Sequence, residues 1–429
     1  MAKQPQSTVK YGPNDRPPLG SWIPMSIQHV FAMFGATILV PILTGLSPST
    51  ALFTAGTGTL IYILITRAKV PAFLGSSFAF IPALISISSS YGVAYAMGGA
   101  FASGIFYVIV ALIIKKSGHL WIDKALPPVV IGSVIVVIGL SLAPTAMGMA
   151  MHDATGNYNL LVFFVALVTL GFTIVANLFL KGFFSIIPIL IGLVAGYLFS
   201  LLVGLISPAH ALIDFTAVRQ AAWFGFPTFA VPKFNLVATV TFVVVSLATI
   251  CEHLGDTITI SKVVGEDYLV DPGLHRTLAG DGLATLWASL WGGPPNTTYG
   301  ENIGVLALTR VYSVWVTGGA AVIAVLLSFF PKFGALIQTI PSPVLGGISM
   351  LLFGIIASSG LRTLVDSGVD YQDKRNLTIS SVILVIGIGG GALSFAMGRD
   401  LMFTLEGVAL ATVVGIFLNL VLPRNGKHE

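Results

Sequence analysis

The sequence predicts an all-α polytopic membrane protein of fourteen transmembrane segments arranged as a 7+7 inverted repeat, with segments 3 and 10 interrupted by short strands. Three observations predict it. The chain is 55% apolar and only 9% charged, with a mean hydropathy of +0.93, whereas soluble domains carry about 25% charged residues. Its apolar residues fall into runs long enough to cross about 30 Å of hydrocarbon. One motif also recurs seven segments after its first appearance.

The apolar segments lie near 22–43, 48–66, 70–90, 92–114, 125–147, 159–180, 184–205, 235–261, 278–293, 297–309, 313–330, 335–360, 376–393 and 404–423, separated by charges and by Gly or Pro clusters. Runs such as 160–180 and 184–205 are apolar all round, which marks spanning helices rather than one-sided soluble ones or alternating barrel strands. Residues 1–20 are polar and proline-rich, without the short apolar core and small-residue site of a cleaved signal peptide. The first span is therefore expected to be retained.

An even number of segments puts both termini on one side, and cytoplasmic loops collect Lys and Arg. With the N-terminus cytoplasmic, only Arg219, Lys233, Lys332 and Arg399 of the 21 basic residues fall outside. Removing any one segment would place neighbouring loops on conflicting sides. The expected location is thus the cell membrane with both termini cytoplasmic, as tails 1–21 and 424–429. The same distribution accounts for the net charge of +4, so no basic cluster points to nucleic acid. The single cysteine, Cys251, lies in an apolar run and is read as a packing residue.

The repeat is PVVIGSVIVVIGLSLA at 128–143 against PVLGGISMLLFGIIAS at 343–358, with Gly132 over Gly347 and Gly139 over Gly354. Segment 5 therefore matches segment 12, and an odd separation inverts the second copy. Segments 3 and 10, VPAFLGSSFAFIPAL and PPNTTYGENIGVLALTR, each begin with Pro, Gly and small or β-prone residues before a short apolar run. Interrupted segments at matching places in two halves point to a midplane binding site. Irregular backbone at that depth must line a cavity or be covered by protein.

Glu252 and Asp256 stand four apart in segment 8, on one helix face. Like charges so placed repel, and low dielectric disfavours ionisation, so the pair is suited to binding protons. The alternative is that both acids reach water beside Lys262, but ten residues of helix rise about 15 Å. Glu301 lies at the presumed strand-to-helix junction of segment 10, where free N–H groups suit an acidic cap or a polar ligand. Ser76, Ser77 and Phe78 hold the matching place in segment 3, with Gly75 expected to let the chain turn; helix packing by small residues is the bland alternative. His29 in segment 1 is either a packed, hydrogen-bonded histidine or a titrating partner, and it stays among the proton-coupling candidates with Asp256 and Glu252. The triplet starting at Asn296 fits a glycosylation pattern, but its place inside an interrupted segment argues against that. No metal, phosphate-loop or nucleophile motif occurs in the chain, so neither an enzyme nor a cofactor is expected.

The stretches SIQHVFAMFGATILVP, VPAFLGSSFAFIP, CEHLGDT, DPGLHR and PNTTYGENIGVLALTR resemble the nucleobase/ascorbate transporter family, and within it the bacterial uracil permeases, over essentially the whole chain. The resemblance implies a core domain (22–115 and 235–330) and a gate domain (124–205 and 333–423). It implies uracil as substrate, a proton as partner, the bilayer as surroundings and a homodimer through the gate. It also implies that Glu252 and Glu301 bond the base, that the backbone at Phe78 and Gly300 completes its recognition, and that Ala36, Ser77, Tyr299, Ser349 and Phe353 surround it. Two positions depart from the family pattern. Asp256 stands where a histidine is expected and Phe353 where a tyrosine is expected, which bears on the proton carrier more than on the substrate. A xanthine, urate or other purine permease of the same family and a passive channel for small neutral solutes are the competing readings. Anion carriers on a similar scaffold are expected to present a cation or only helix ends at the site, not two acids.

Overall fold

The computed structural model describes residues 9–396 and 402–423. The predicted tail 424–429, the first eight residues and Arg399 lie outside the described residues. The first half comprises α1 (Leu19–Thr44), α2 (Pro48–Ile65), strand β1 (Leu74–Ser76), α3 (Ile81–Tyr91), α4 (Val93–Ser117), a short α5 (Leu120–Ala125), α6 (Pro128–Leu140), α7 (Ala143–Met151), α8 (Leu160–Phe179) and α9 (Pro188–Ile206). After a short α10 (Thr216–Gln220), the second half comprises α11 (Leu236–Val264), α12 (Leu274–Leu290), strand β2 (Asn296–Thr298), α13 (Gly300–Thr309), α14 (Val314–Ser328), α15 (Pro331–Gln338), α16 (Ser342–Asp366), α17 (Lys374–Ile388), strands β3 (Ala392–Ala396) and β4 (Met402–Glu406), and α18 (Gly407–Val421). Among the described residues, eight helical stretches are long and apolar enough to cross a membrane, or nine with the bent pair α14 and α15. The protein is a predominantly helical, multi-pass membrane protein.

Helices in lipid gain little from excluding water from one another, so they associate where small residues let backbones approach. The contact of α6 with α16 shows this: a Cβ on Gly132 would lie 2.9 Å from Gly360 O, and one on Gly139 would lie 2.5 Å from Phe353 O. The two copies of the repeated motif thus pack directly against each other. Helix α4 meets α12 in the same way, through Gly104 and Gly282, where an added Cβ would come within 2.7 Å of Gly282 O and 3.0 Å of Gly104 O, respectively. Around these contacts α2 packs on α12 and α14, α1 on α14, and α11 on α4. A second group joins α6, α8 and α9 with α16, α17 and α18. Helices α1 and α11 touch both groups, α1 through α9 and α11 through α6 and α18.

The interrupted segments meet at the centre. Strand β1 pairs antiparallel with β2, with Leu74 opposite Thr298, Gly75 opposite Thr297 and Ser76 opposite Asn296. Each strand is fastened by one threonine serving both backbone groups of one residue. Thr59 on α2 accepts from Leu74 N (2.9 Å) and donates to Leu74 O (3.2 Å). Thr285 on α12 accepts from Asn296 N (3.2 Å) and donates to Asn296 O (3.1 Å). These bonds satisfy polar backbone that would otherwise be stranded at membrane depth.

Three expectations are corrected. The apolar run assigned to 376–393 ends as a helix at Ile388, and the last residues of that run form β3, paired with β4 in a hairpin before α18. The run at 335–360 begins too early, because residues up to Gln338 belong to α15, bent 87° from α14, and α16 starts at Ser342. Gly75 does not turn the chain: it sits in an extended strand without a positive φ, and its missing side chain makes room for the Tyr299 ring. A Cβ there would lie 2.3 Å from Tyr299 Cζ.

Candidate functional site

Helix α11 runs 29 residues, capped before its start by Asn235, whose side chain accepts from Ala238 N, and after its end by Gly265 in the left-handed conformation. This uninterrupted helix carries Glu252 and Asp256 past the two strands. Both acids find a hydroxyl on β2: Thr297 donates to Glu252 Oε2 (3.4 Å) and Thr298 donates to Asp256 Oδ2 (2.9 Å). One residue beyond the strand, Tyr299 is extended and precedes α13, which places Glu301 in the first turn. There the unpaired N–H groups of a helix start favour negative or polar groups. The Tyr299 hydroxyl donates to Ser76 O (3.1 Å) and accepts from Thr37 on α1 (3.2 Å), so the junction is tied to β1 and α1.

Phe78, Glu252, Asp256, Tyr299, Gly300 and Glu301 all line one cavity of about 580 Å³. The cavity follows one face of α11 through Gly255 and Thr259 to Lys262, and one face of α16 from Ile355 through Arg362 to Asp366. It therefore joins the break in the membrane-spanning segments to the exposed ends of two helices. A Cβ on Gly300 would meet no atom within 4 Å, so the backbone there opens freely into the cavity. Among the described residues no ion pair involves Glu252, Asp256 or Glu301. Among the described residues, the cations lining the cavity are Lys262 and Arg362, which stand at its exposed end.

The remaining expected site residues do not line this cavity. Ala36, Ser77, Ser349 and Phe353 are buried. The Phe353 ring meets Phe78 edge to face, with centroids 5.7 Å apart. The hydroxyls of Ser76, Ser77 and Ser349 are buried without a hydrogen-bond partner among the described residues. His29 Nδ1 lies 3.0 Å from Asn302 Nδ2, which also donates to His29 O (3.2 Å). That histidine fastens α1 to α13 and faces an amide rather than a carboxylate.

Three features escape the sequence reading. The bonds of Thr297 and Thr298 leave no local signal, because their partners lie more than forty positions away. His253, next to Glu252, faces α12 and donates to Asp281 there (2.8 Å), with Thr277 Oγ1 3.0 Å from its other nitrogen. Asp281 had a signal of its own, an acid inside the apolar run 278–293. The arrangement as a whole offers several hydrogen-bond acceptors, open backbone and an aromatic face, and it presents no nucleophile paired with a base. It is suited to holding a small polar molecule that donates N–H groups.

Residues 20–394 match the model of the Permease family. The chain belongs to that family. The protein is a transporter and not an enzyme. This permease is 55% identical to the uracil permease of Bacillus caldolyticus, over 95% of this chain and 94% of that one. It is 52% identical to the uracil permease of Bacillus subtilis (98% and 97% covered) and 45% identical to that of Escherichia coli K12 (96% and 93% covered). Among solved structures it resembles the transmembrane domain of the cyanobacterial bicarbonate transporter BicA, with a TM-score of 0.62 at 14% identity over 94% of this chain and 97% of that one. The murine Slc26a9 anion transporter gives a TM-score of 0.69 at 12% identity, over 97% of this chain and 69% of that one. At such identities the likeness is one of fold alone.

Proposed function

We propose that this permease imports uracil across the cell membrane by proton symport. The observation that carries the reading is the convergence of Glu252, Asp256 and Glu301 on one cavity at the broken segments, none of them in an ion pair among the described residues. Uracil is small, planar and uncharged, and presents N–H donors and carbonyl acceptors on its edge. Carboxylates accept from the donors, and the open backbone near Gly300 donates to the carbonyls. The uracil permeases that share about half of this sequence supply the substrate's identity.

The movement proposed is that of two bodies. The core comprises 22–115 and 235–330, and the gate comprises 124–205 and 333–423; the denser packing of helices within each of two groups supports this division, with α1 and α11 at the seam and α15 packed on α2 and α14 of the core. Partners repeat between the halves: α4 on α12 answers α14 on α2, α11 on α4 answers α1 on α14, and α16 on α8 answers α6 on α17. That repetition supports the 7+7 inverted arrangement, with both termini cytoplasmic and the gate as the surface where a second copy would pair. The cavity lies between core helix α11 and gate helix α16, so rocking one body against the other would close it. A proton taken up on Asp256 or Glu252 removes one of two adjacent negative charges. Uracil then binds against Glu252 and Glu301, with Phe78 and Tyr299 beside it, Ala36, Ser77, Ser349 and Phe353 packed behind, and His29 securing α13. Release of both solutes follows on the cytoplasmic side.

The test is calorimetric uracil binding to purified Glu301→Gln. Lost or greatly weakened binding is expected, and native affinity would remove Glu301 from the substrate. A panel of unlabelled purines competing with labelled uracil separates this reading from a purine permease, which would be displaced by xanthine or urate.

A further inference from the structure

We propose that Thr298 is a positioning residue for proton coupling, its hydroxyl holding the Asp256 carboxylate and thereby setting the pH range over which uracil uptake falls. This rests on Asp256 being the coupling group.

Thr298 and Asp256 are both buried, at 2% and 8% exposure, and 2.9 Å separates their oxygens. No other donor reaches the Asp256 side chain in a hydrogen bond among the described residues. The threonine is held independently of the acid. Its strand is fixed by both backbone groups of Asn296 on Thr285, by pairing with β1, and by Tyr299 N donating to Phe73 O (3.0 Å). The hydroxyl is therefore a preset donor and does not follow the carboxylate.

A hydroxyl can donate to a carboxylate and accept from a carboxylic acid. The bond to the charged form is the stronger one, so Thr298 selectively supports the deprotonated acid. The other titratable groups around Asp256 supply no rival donor. On its own helix these are Glu252, His253, which is bonded to Asp281, and Lys262 at the cavity mouth. Facing it are Asp281 on α12, Glu301 on α13 and Tyr62 on α2. Arg362 and Asp366 on α16 line the far end of the cavity, and α6 presents Ile131 and Ile135 at Gly255. Thr298 is also three residues from Glu301 along one taut stretch of chain. A change in its bond to Asp256 is therefore made at the substrate's own anchor.

The experiment is labelled uracil uptake by proteoliposomes over a pH series for the native protein, Thr298→Val, Thr298→Ser and Asp256→Asn. Loss of the donor in Thr298→Val is expected to move the alkaline fall of uptake upward by about one pH unit, a tenfold change in proton concentration. Thr298→Ser, which keeps the hydroxyl, is expected to restore the native midpoint. A native midpoint in Thr298→Val, with a flattened profile in Asp256→Asn, overturns the role of Thr298 and leaves Asp256 in place. An undiminished pH dependence in Asp256→Asn removes the coupling group itself, and this inference with it. If Thr298→Val does not turn over, uracil binding by the purified protein across the same pH series reads the midpoint, and Thr298→Ala takes its place if it does not fold. Equal midpoints in variant and native protein count against the proposal there too.

Discussion

Gly75→Ala tests whether the two broken segments must interlock for the site to exist. The new Cβ would lie 2.3, 2.4 and 2.5 Å from Cζ, Cε2 and the hydroxyl oxygen of Tyr299, well inside van der Waals contact. The ring is a rigid neighbour and cannot rotate away cheaply, since its hydroxyl bonds Ser76 O and Thr37. Overpacking of this kind costs about 1–3 kcal/mol, and each bond lost when the ring moves adds about 1 kcal/mol. The sum, about 3–5 kcal/mol, falls on the residue that leads into α13 and Glu301. The assay is thermal unfolding of the purified protein together with uracil uptake in proteoliposomes. A lower melting temperature and near-complete loss of uptake are expected. The same substitution in a Tyr299→Leu background, where the ring is gone, is expected to cost much less. Native stability and native uptake in Gly75→Ala would refute the close approach of Tyr299 to β1.

Other perturbations reach different parts of the same account. Thr285→Val leaves both backbone groups of Asn296 without their partner, at about 1–3 kcal/mol each, and thermal unfolding is expected to show a loss that Thr285→Ser largely recovers. Gly139→Leu drives a side chain against Phe353 O and Ala357 N, 2.5 and 2.6 Å from the Cβ position, so α6 and α16 are expected to part, with poor yield of folded protein on size exclusion. Glu252→Gln keeps the shape of the side chain but turns one acceptor oxygen into a donor, and calorimetry is expected to show uracil affinity at least tenfold weaker, the equivalent of about 1.4 kcal/mol.

Much of this architecture is legible in the sequence, for identifiable reasons. The broken segments announce themselves because Gly and Pro at 71–75 and 292–295 interrupt runs that otherwise have the length of a span. The acids are visible because charge is scarce in an apolar chain, and the same scarcity marks Asp281. The β3 and β4 hairpin was not visible, since short apolar runs such as ALSFA suit a strand and a buried helix equally. Bonds that depend on tertiary approach were hidden as well. Nothing local distinguishes Thr298, facing Asp256, from the many threonines here that bond the carbonyl one turn back, such as Thr44 and Thr412. Asp256 stands out in the sequence as a scarce charge, whereas its bond to Thr298 exists only through the tertiary approach of β2.

The central claim is that a proton gradient drives uracil through this cavity, and uptake of labelled uracil by proteoliposomes containing only the purified permease tests it most directly. With an acid exterior, uracil is expected to accumulate inside above its external concentration, and collapse of the gradient by a protonophore is expected to end the accumulation. Entry that never exceeds equilibration, does not saturate and ignores the gradient would contradict the account and identify a passive pathway.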